Sequence, residues 1–147
     1  MNIALFEPDI PQNTGSIIRL CACMGVTLHI IEPCGFLLDD RQVKRVAMDY
    51  NGQVDLKRHI SWKSFLESIN AMRIILLSTK AQDNYTDFNF MEDDILLLGR
   101  ESSGVPDYVA DASIARVKIP MHGDARSLNV AIAAGMVLGE ALRQVRI

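Results

Sequence analysis

Short apolar runs of strand length alternate along this chain with segments of helical periodicity, and that alternation limits the fold more than any other feature. The runs are Asn2–Phe6, Thr27–Ile31, Arg73–Ser78, Asp94–Leu98 and Ala115–Ile119. Runs that are apolar almost throughout suit strands covered on both faces, which is the condition of a parallel sheet. Between them, Pro11–Met24 carries Ile17, Ile18, Leu20, Cys21 and Met24 at helical spacing. The pattern predicts an α/β fold with a mainly parallel sheet and helices on both faces.

Punctuation residues set the expected boundaries. Gly25 stands where a helix C-terminus wants a residue able to take positive φ. A helix is expected around Asp39–Met48, then a weak strand near Gln53–Leu56. A further helix runs from Ser61 as N-cap to about Asn70, and a long one is opened by Ser127 and reaches Arg146. At 147 residues, with no repeat and no boundary signal, the chain is expected to be a single domain, 1–147.

Composition narrows the function classes. Hydrophobic residues are 49% and charged residues 22%, a globular balance. No stretch reaches the roughly 18 apolar residues of a membrane span, and the N-terminus lacks the layout of a signal peptide. A cytoplasmic protein with no membrane partner is expected. Cys21, Cys23 and Cys34 are odd in number and lack CxxC spacing, so they read as free, packed thiols with no metal site. The net charge of −3 gives no chain-wide field for a polyanion. Nucleic-acid contact would therefore be local, at Arg41, Lys44 and Arg45 on one helix face, or at the run Lys57, Arg58, His59, and two-fold assembly would double such patches.

Ligands of parallel sheets sit beyond the carboxyl ends of the strands. The loops after Leu77, Leu98 and Ile119 qualify, and no GxG occurs to suggest a dinucleotide or phosphate-loop site. After Leu98 comes Gly99-Arg100-Glu101-Ser102-Ser103-Gly104-Val105-Pro106, whose glycines let backbone approach a ligand or simply make a tight turn. Near the start of the first helix stands Asn13, which also suits a helix cap, with Arg19 about two turns in. An arginine on an apolar helix needs an anionic partner if buried, and Glu101 is the natural candidate. The segment Ile119 to Asn129 leads into the long helix, with Ser127 the expected cap and Asn129 in its first turn. Ala131, Gly135 and Gly139, four apart, form a narrow strip suited to a tight core or a subunit interface.

Together, Asn13-Thr14-Gly15 through Arg19, Leu98 to Pro106, and Ile119-Pro120-Met121 with Ser127-Leu128-Asn129-Val130 resemble the three motifs of the SpoU-type methyltransferases of the SPOUT superfamily. The resemblance covers essentially the whole chain. Leu28-His29-Ile30-Ile31-Glu32-Pro33 and the compact length are similar to the TrmL group, which methylates the ribose 2′-hydroxyl of the tRNA wobble nucleotide. The resemblance implies a C-terminal trefoil knot, S-adenosylmethionine as methyl donor with S-adenosylhomocysteine as product, no metal, and a homodimer that completes the active site on tRNA rather than DNA. It places the cofactor at Leu77, Gly99, Gly104, Ile119, Met121, Ser127 and Leu128. It gives functional roles to Asn13, Arg19, Glu101, Ser127 and Asn129, with Arg19 foremost. Ribosomal RNA as substrate, or a non-catalytic RNA-binding module, are the alternatives. Two positions depart from the pattern: Ser16 replaces a common asparagine, and Gly139 replaces an aromatic found in many of the TrmL group.

Overall fold

A computed structural model of the chain describes residues 1–38, 41, 45, 49 and 54–146. The strands are β1 (Asn2–Phe6), β2 (Thr27–Ile31), β3 (Leu56–His59), β4 (Ile74–Leu77), β5 (Asp83–Asn84), β6 (Ile95–Leu98) and β7 (Ala115–Lys118). The helices are α1 (Pro11–Met24), α2 (Trp62–Ser68), α3 (Asp107–Ala112) and α4 (Val130–Val145), with a 3-10 turn at Tyr85–Asp87. The strands form one sheet in the order β3-β2-β1-β6-β4-β7-β5, and every pairing is parallel.

Period-two alternation sends side chains of each strand into two cores. Ile3, Leu5, Leu28, Ile30, Ile75, Leu96, Leu98 and Val117 pack on one face against Ile17, Ile18 and Cys21 of α1 and Val137, Leu138 and Ala141 of α4. On the other face, Ala4, Phe6, Ile31, Leu76, Ile95 and Leu97 meet Phe65 and Ile69 from the α2 region and Val109 and Ala110 of α3. All of β6 is buried, so it is the sheet's spine. Complete burial of each such aliphatic side chain contributes about 1.5–3 kcal/mol.

α1 begins with Pro11 in its first turn and ends at Gly25 with φ 65°, as its punctuation required. Ser61 caps α2 by accepting a hydrogen bond from the Ser64 amide. Three expectations need correction. The weak strand lies at Leu56–His59, not Gln53–Leu56, because pairing with β2 in register Leu28↔Leu56 to Ile31↔His59 decides its position. Ser127 does not cap the long helix: Asn129 does, its Oδ1 accepting from the amides of Ala131 and Ile132. Cys23 is a free thiol but lies exposed on α1, whereas Cys21 is buried. The helix expected over 39–48 lies largely outside the described residues.

Chain order matters for the site. β7 is laid down last yet sits between β4 and β5, after which the chain returns over the sheet so that α4 packs beside α1 and on β6. This order brings the loops after β4, β6 and β7 together at one rim of the sheet.

Candidate functional site

The three loops enclose a cavity of about 580 Å³. Leu76, Leu77, Leu98, Ile119 and Leu128 supply apolar wall, and Ser78, Asn13, Glu101, Ser127 and Asn129 supply polar atoms. Every residue expected at the cofactor lines it: Leu77, Gly99, Gly104, Ile119, Met121, Ser127 and Leu128.

The second loop is closed on itself. Arg100 and Gly104 exchange both backbone hydrogen bonds, at 2.9 and 2.8 Å. A Cβ at Gly99 would stand 2.6 Å from the Gly104 carbonyl carbon, so only glycine allows the two backbones to meet. Gly104 itself has φ 66°, the left-handed region that favours glycine. Main chain is thereby presented at the cavity wall with no side chain in the way.

A chain of hydrogen bonds crosses the lip. Asn129, besides capping α4, donates from Nδ2 to Asn13 Oδ1 at 2.9 Å. Asn13 Nδ2 donates to Glu101 Oε1 at 3.4 Å, and Glu101 Oε2 accepts the Asp9 amide at 3.0 Å. Asp9 returns the contact, its Oδ1 accepting the Glu101 amide at 3.2 Å and its Oδ2 the Ser102 hydroxyl. Arg100 reaches Glu7 at 3.3 Å and Asp9 at 3.6 Å. Hydrogen bonding to the Glu101 carboxyl, with help from Ser102 and Arg100, lowers Asp9 to about 2. Burial, and then Asp9 beside it, raise Glu101 above the usual carboxylate range. Of the two acids, Asp9 keeps the negative charge and Glu101 takes a proton first.

The expected Arg19–Glu101 ion pair is replaced by this network. Arg19 is exposed on α1, in a stripe with Gln12, Ser16 and Cys23. It avoids the desolvation that would have demanded a buried anion. On adjacent α4, Ile132, Met136 and Gly139 also face outward, with Ile132 55% exposed. A Cβ at Gly135 or Gly139 meets nothing within 4 Å, so the small-residue strip serves no close packing among the described residues.

The basic run 57–59 is not a patch. Arg58 pairs with Glu32 at 2.6 Å and Lys57 with Asp55 at 3.9 Å. His59 is buried, its Nε2 2.9 Å from His29 Nδ1, with Phe65 edge-on to both rings. Arg41 and Arg45 are exposed, and Lys44 lies outside the described residues. No group of three or more His, Cys, Asp or Glu is placed to hold a metal among the described residues. Asp9 was missed from sequence, since its partners lie more than ninety positions away.

Comparison with known proteins agrees with this geometry. The model of the SpoU rRNA Methylase family matches residues 1–139. A tRNA (cytidine(34)-2'-O)-methyltransferase of Beijerinckia indica is 57% identical over 145 residues, covering 97% of this chain and 91% of the relative. The protein of the same name from Escherichia coli K12 is 42% identical, over 99% and 94%. A solved structure concerned with 2-OH methylation of C/U34 on tRNA superposes with TM-score 0.92 at 41% identity, covering 97% of this chain and 94% of that one. The SpoU methyltransferase AviRb of Streptomyces viridochromogenes, in complex with AdoMet, superposes at 0.90 with 26% identity, covering 98% and 60%.

Proposed function

This chain belongs to the SpoU methylase family, and on that footing we propose that it is an S-adenosylmethionine-dependent tRNA methyltransferase acting on the 2′-hydroxyl of the wobble ribose, at cytidine or uridine. The observation that carries this reading is the convergence of three strand-end loops on one cavity whose lip is hydrogen-bonded from Asn129 through Asn13 to Glu101. Higher identity and fuller coverage favour tRNA over ribosomal RNA, because the relatives at 42% and 57% are both named for tRNA. A non-catalytic module would have no need of a polar lip held in one geometry.

The cavity fits the cofactor. Adenine suits the leucine and isoleucine walls, and main chain at Gly99, uncovered by any side chain, suits its polar edge. When bound, S-adenosylmethionine supplies a sulfonium methyl that leaves with its sulfur–carbon bond electrons retained on sulfur. The ribose hydroxyl must shed a proton as its oxygen forms the new bond to carbon. Arg19 orients the RNA phosphate and offsets negative charge growing on that oxygen. Glu101, raised by burial, is a carboxylate at the cavity lip able to receive the proton. Asn13 and Asn129 hold it in place.

We further infer a homodimer, packed through the outward stripes of α1 and α4. A second copy there would cover Ile132, Met136 and the open space at Gly139, and would carry Arg19 of one copy towards the cavity of the other. The chain acts as one domain in the cytoplasm, and no helix among the described residues is long and apolar enough to cross a membrane.

The test is transfer of labelled methyl from S-adenosylmethionine to unmodified tRNA, with the modified nucleotide mapped. A 2′-O-methyl at the wobble ribose is expected; methyl elsewhere refutes the target, and no transfer with cofactor bound refutes the activity on tRNA. Arg19→Ala should bind cofactor normally and lose about a hundredfold or more in turnover. Unchanged turnover would remove Arg19 from the mechanism.

A further inference from the structure

Segment 7–9 is held far more tightly than a strand-to-helix connection requires. Glu7 adopts φ 43°, a left-handed backbone in a residue with a side chain, at a cost of about 1–3 kcal/mol. Its amide is tied to the Ile31 carbonyl at 2.9 Å and its carboxylate to Arg100. Behind Asp9, the Gly35 amide donates to the Pro8 carbonyl at 2.9 Å. A Cβ at Gly35 would stand 2.7 Å from Asp9 Cβ, so glycine there lets Asp9 seat. Ahead of it, the 100–102 turn makes the reciprocal bonds already described, with amide and carboxylate of each residue engaging the other.

We propose that Asp9 is a positioning residue for methyl transfer: clamped between Gly35 and the 100–102 turn, it holds the Glu101 carboxylate at the cavity lip and, through Asn13 and Asn129, sets the first turn of α4 relative to that carboxylate. The inference rests on the methyltransferase reading and on Glu101 acting in it. Asp9 is not among the residues that line this cavity; it acts through Glu101. Without it, one oxygen of Glu101 keeps only the Asp9 amide, the Glu101 amide and Ser102 hydroxyl lose their acceptor, and the turn is free to rotate the carboxylate out of reach of the ribose.

A double-mutant cycle on the full-length protein tests this. Asp9→Ala should lower kcat by about ten- to a hundredfold, as misplacement of a reacting group does, while cofactor Kd and tRNA KM change by less than about threefold. Asp9→Asn, which still accepts the Glu101 amide, should recover most of kcat. In a Glu101→Gln background, Asp9→Ala should add little. Gly35→Ala reaches Asp9 from behind without altering its side chain, and should reproduce the loss in the native background only; it serves if Asp9→Ala does not fold. Multiplying losses in the double variant, or native kcat in both Asp9→Ala and Gly35→Ala, would overturn the proposal. Wild-type transfer and the Glu101→Gln loss, measured alongside, report separately on the function it rests on.

Discussion

Asn129 carries two tasks that substitution can separate. Its Oδ1 caps α4 through the amides of Ala131 and Ile132, and its Nδ2 holds Asn13 at 2.9 Å. Asn129→Ala removes both, at about 1 kcal/mol for the cap and about 1 kcal/mol for the side-chain bond. For a chain of this size the sum of about 2 kcal/mol lowers Tm by roughly 4–8 °C. Asn129→Asp keeps the cap and adds a favourable charge at the helix N-terminus, but has no donor for Asn13. Asn13 could turn its amide to meet the new carboxylate, yet its Nδ2 is already given to Glu101 Oε1, so one of the two contacts is lost either way. The aspartate variant should therefore melt within about 3 °C of wild type and still fall at least about tenfold in methyl transfer, the equivalent of one lost hydrogen bond in the transition state. Thermal unfolding and single-turnover methylation on the same preparations decide it. Full activity in Asn129→Asp would deny the network any part in function, and an unchanged Tm in Asn129→Ala would deny the cap.

Other outcomes follow from the same structure. His29 is lowered to about 4 by burial, then by His59 and Lys57, and His59 is also lowered by burial. Both are neutral when folded while an unfolded histidine protonates near 6.5, so stability is full above about 6.5 and is lost as pH falls towards 4, by up to about 3 kcal/mol for His29; urea midpoints across that window should show this slope, and His29→Gln should flatten it. A slope unchanged in that variant would place the acid sensitivity elsewhere. Ile132→Arg puts a charge on the outward stripe of α4: sedimentation should show half the native mass with unchanged circular dichroism and lost turnover, and a native mass with full activity would rule out this face as the interface.

Much of the fold was legible because its signals are local. β1, α1 and β2 fall where Pro11 and Gly25 punctuate them, and the buried strands were shortened only by a residue or two. Signals failed where a distant partner decides. β3 reads Leu-Lys-Arg-His, too polar to stand out, and is a strand because β2 supplies its hydrogen bonds and His29 receives His59. Ser127 and Asn129 are equally good caps by residue type; only the approach of Asn13 favours the second. β5 is two residues long and has no period to read. The pairing of Glu101 with Arg19 was sought by charge, but a carboxylate is satisfied as well by amides, and the folded chain offered the Asp9 amide and the Asn13 side chain first.

That substitution of amides for a cation bears on how an acidic protein handles RNA. Asp9, Asn13 and the 100–102 turn support Glu101, and Arg19 stands at the surface of α1. The same economy is seen in reverse at β3, where Arg58 and Lys57 are committed to Glu32 and Asp55 and add little to any basic surface. On the proposed reading, exposed cations such as Arg19, Arg41 and Arg45 would meet RNA phosphate. With these three engaged, the logarithmic salt slope of tRNA affinity should be about −3 for each copy that contacts the RNA, since each phosphate neutralised adds just under one unit.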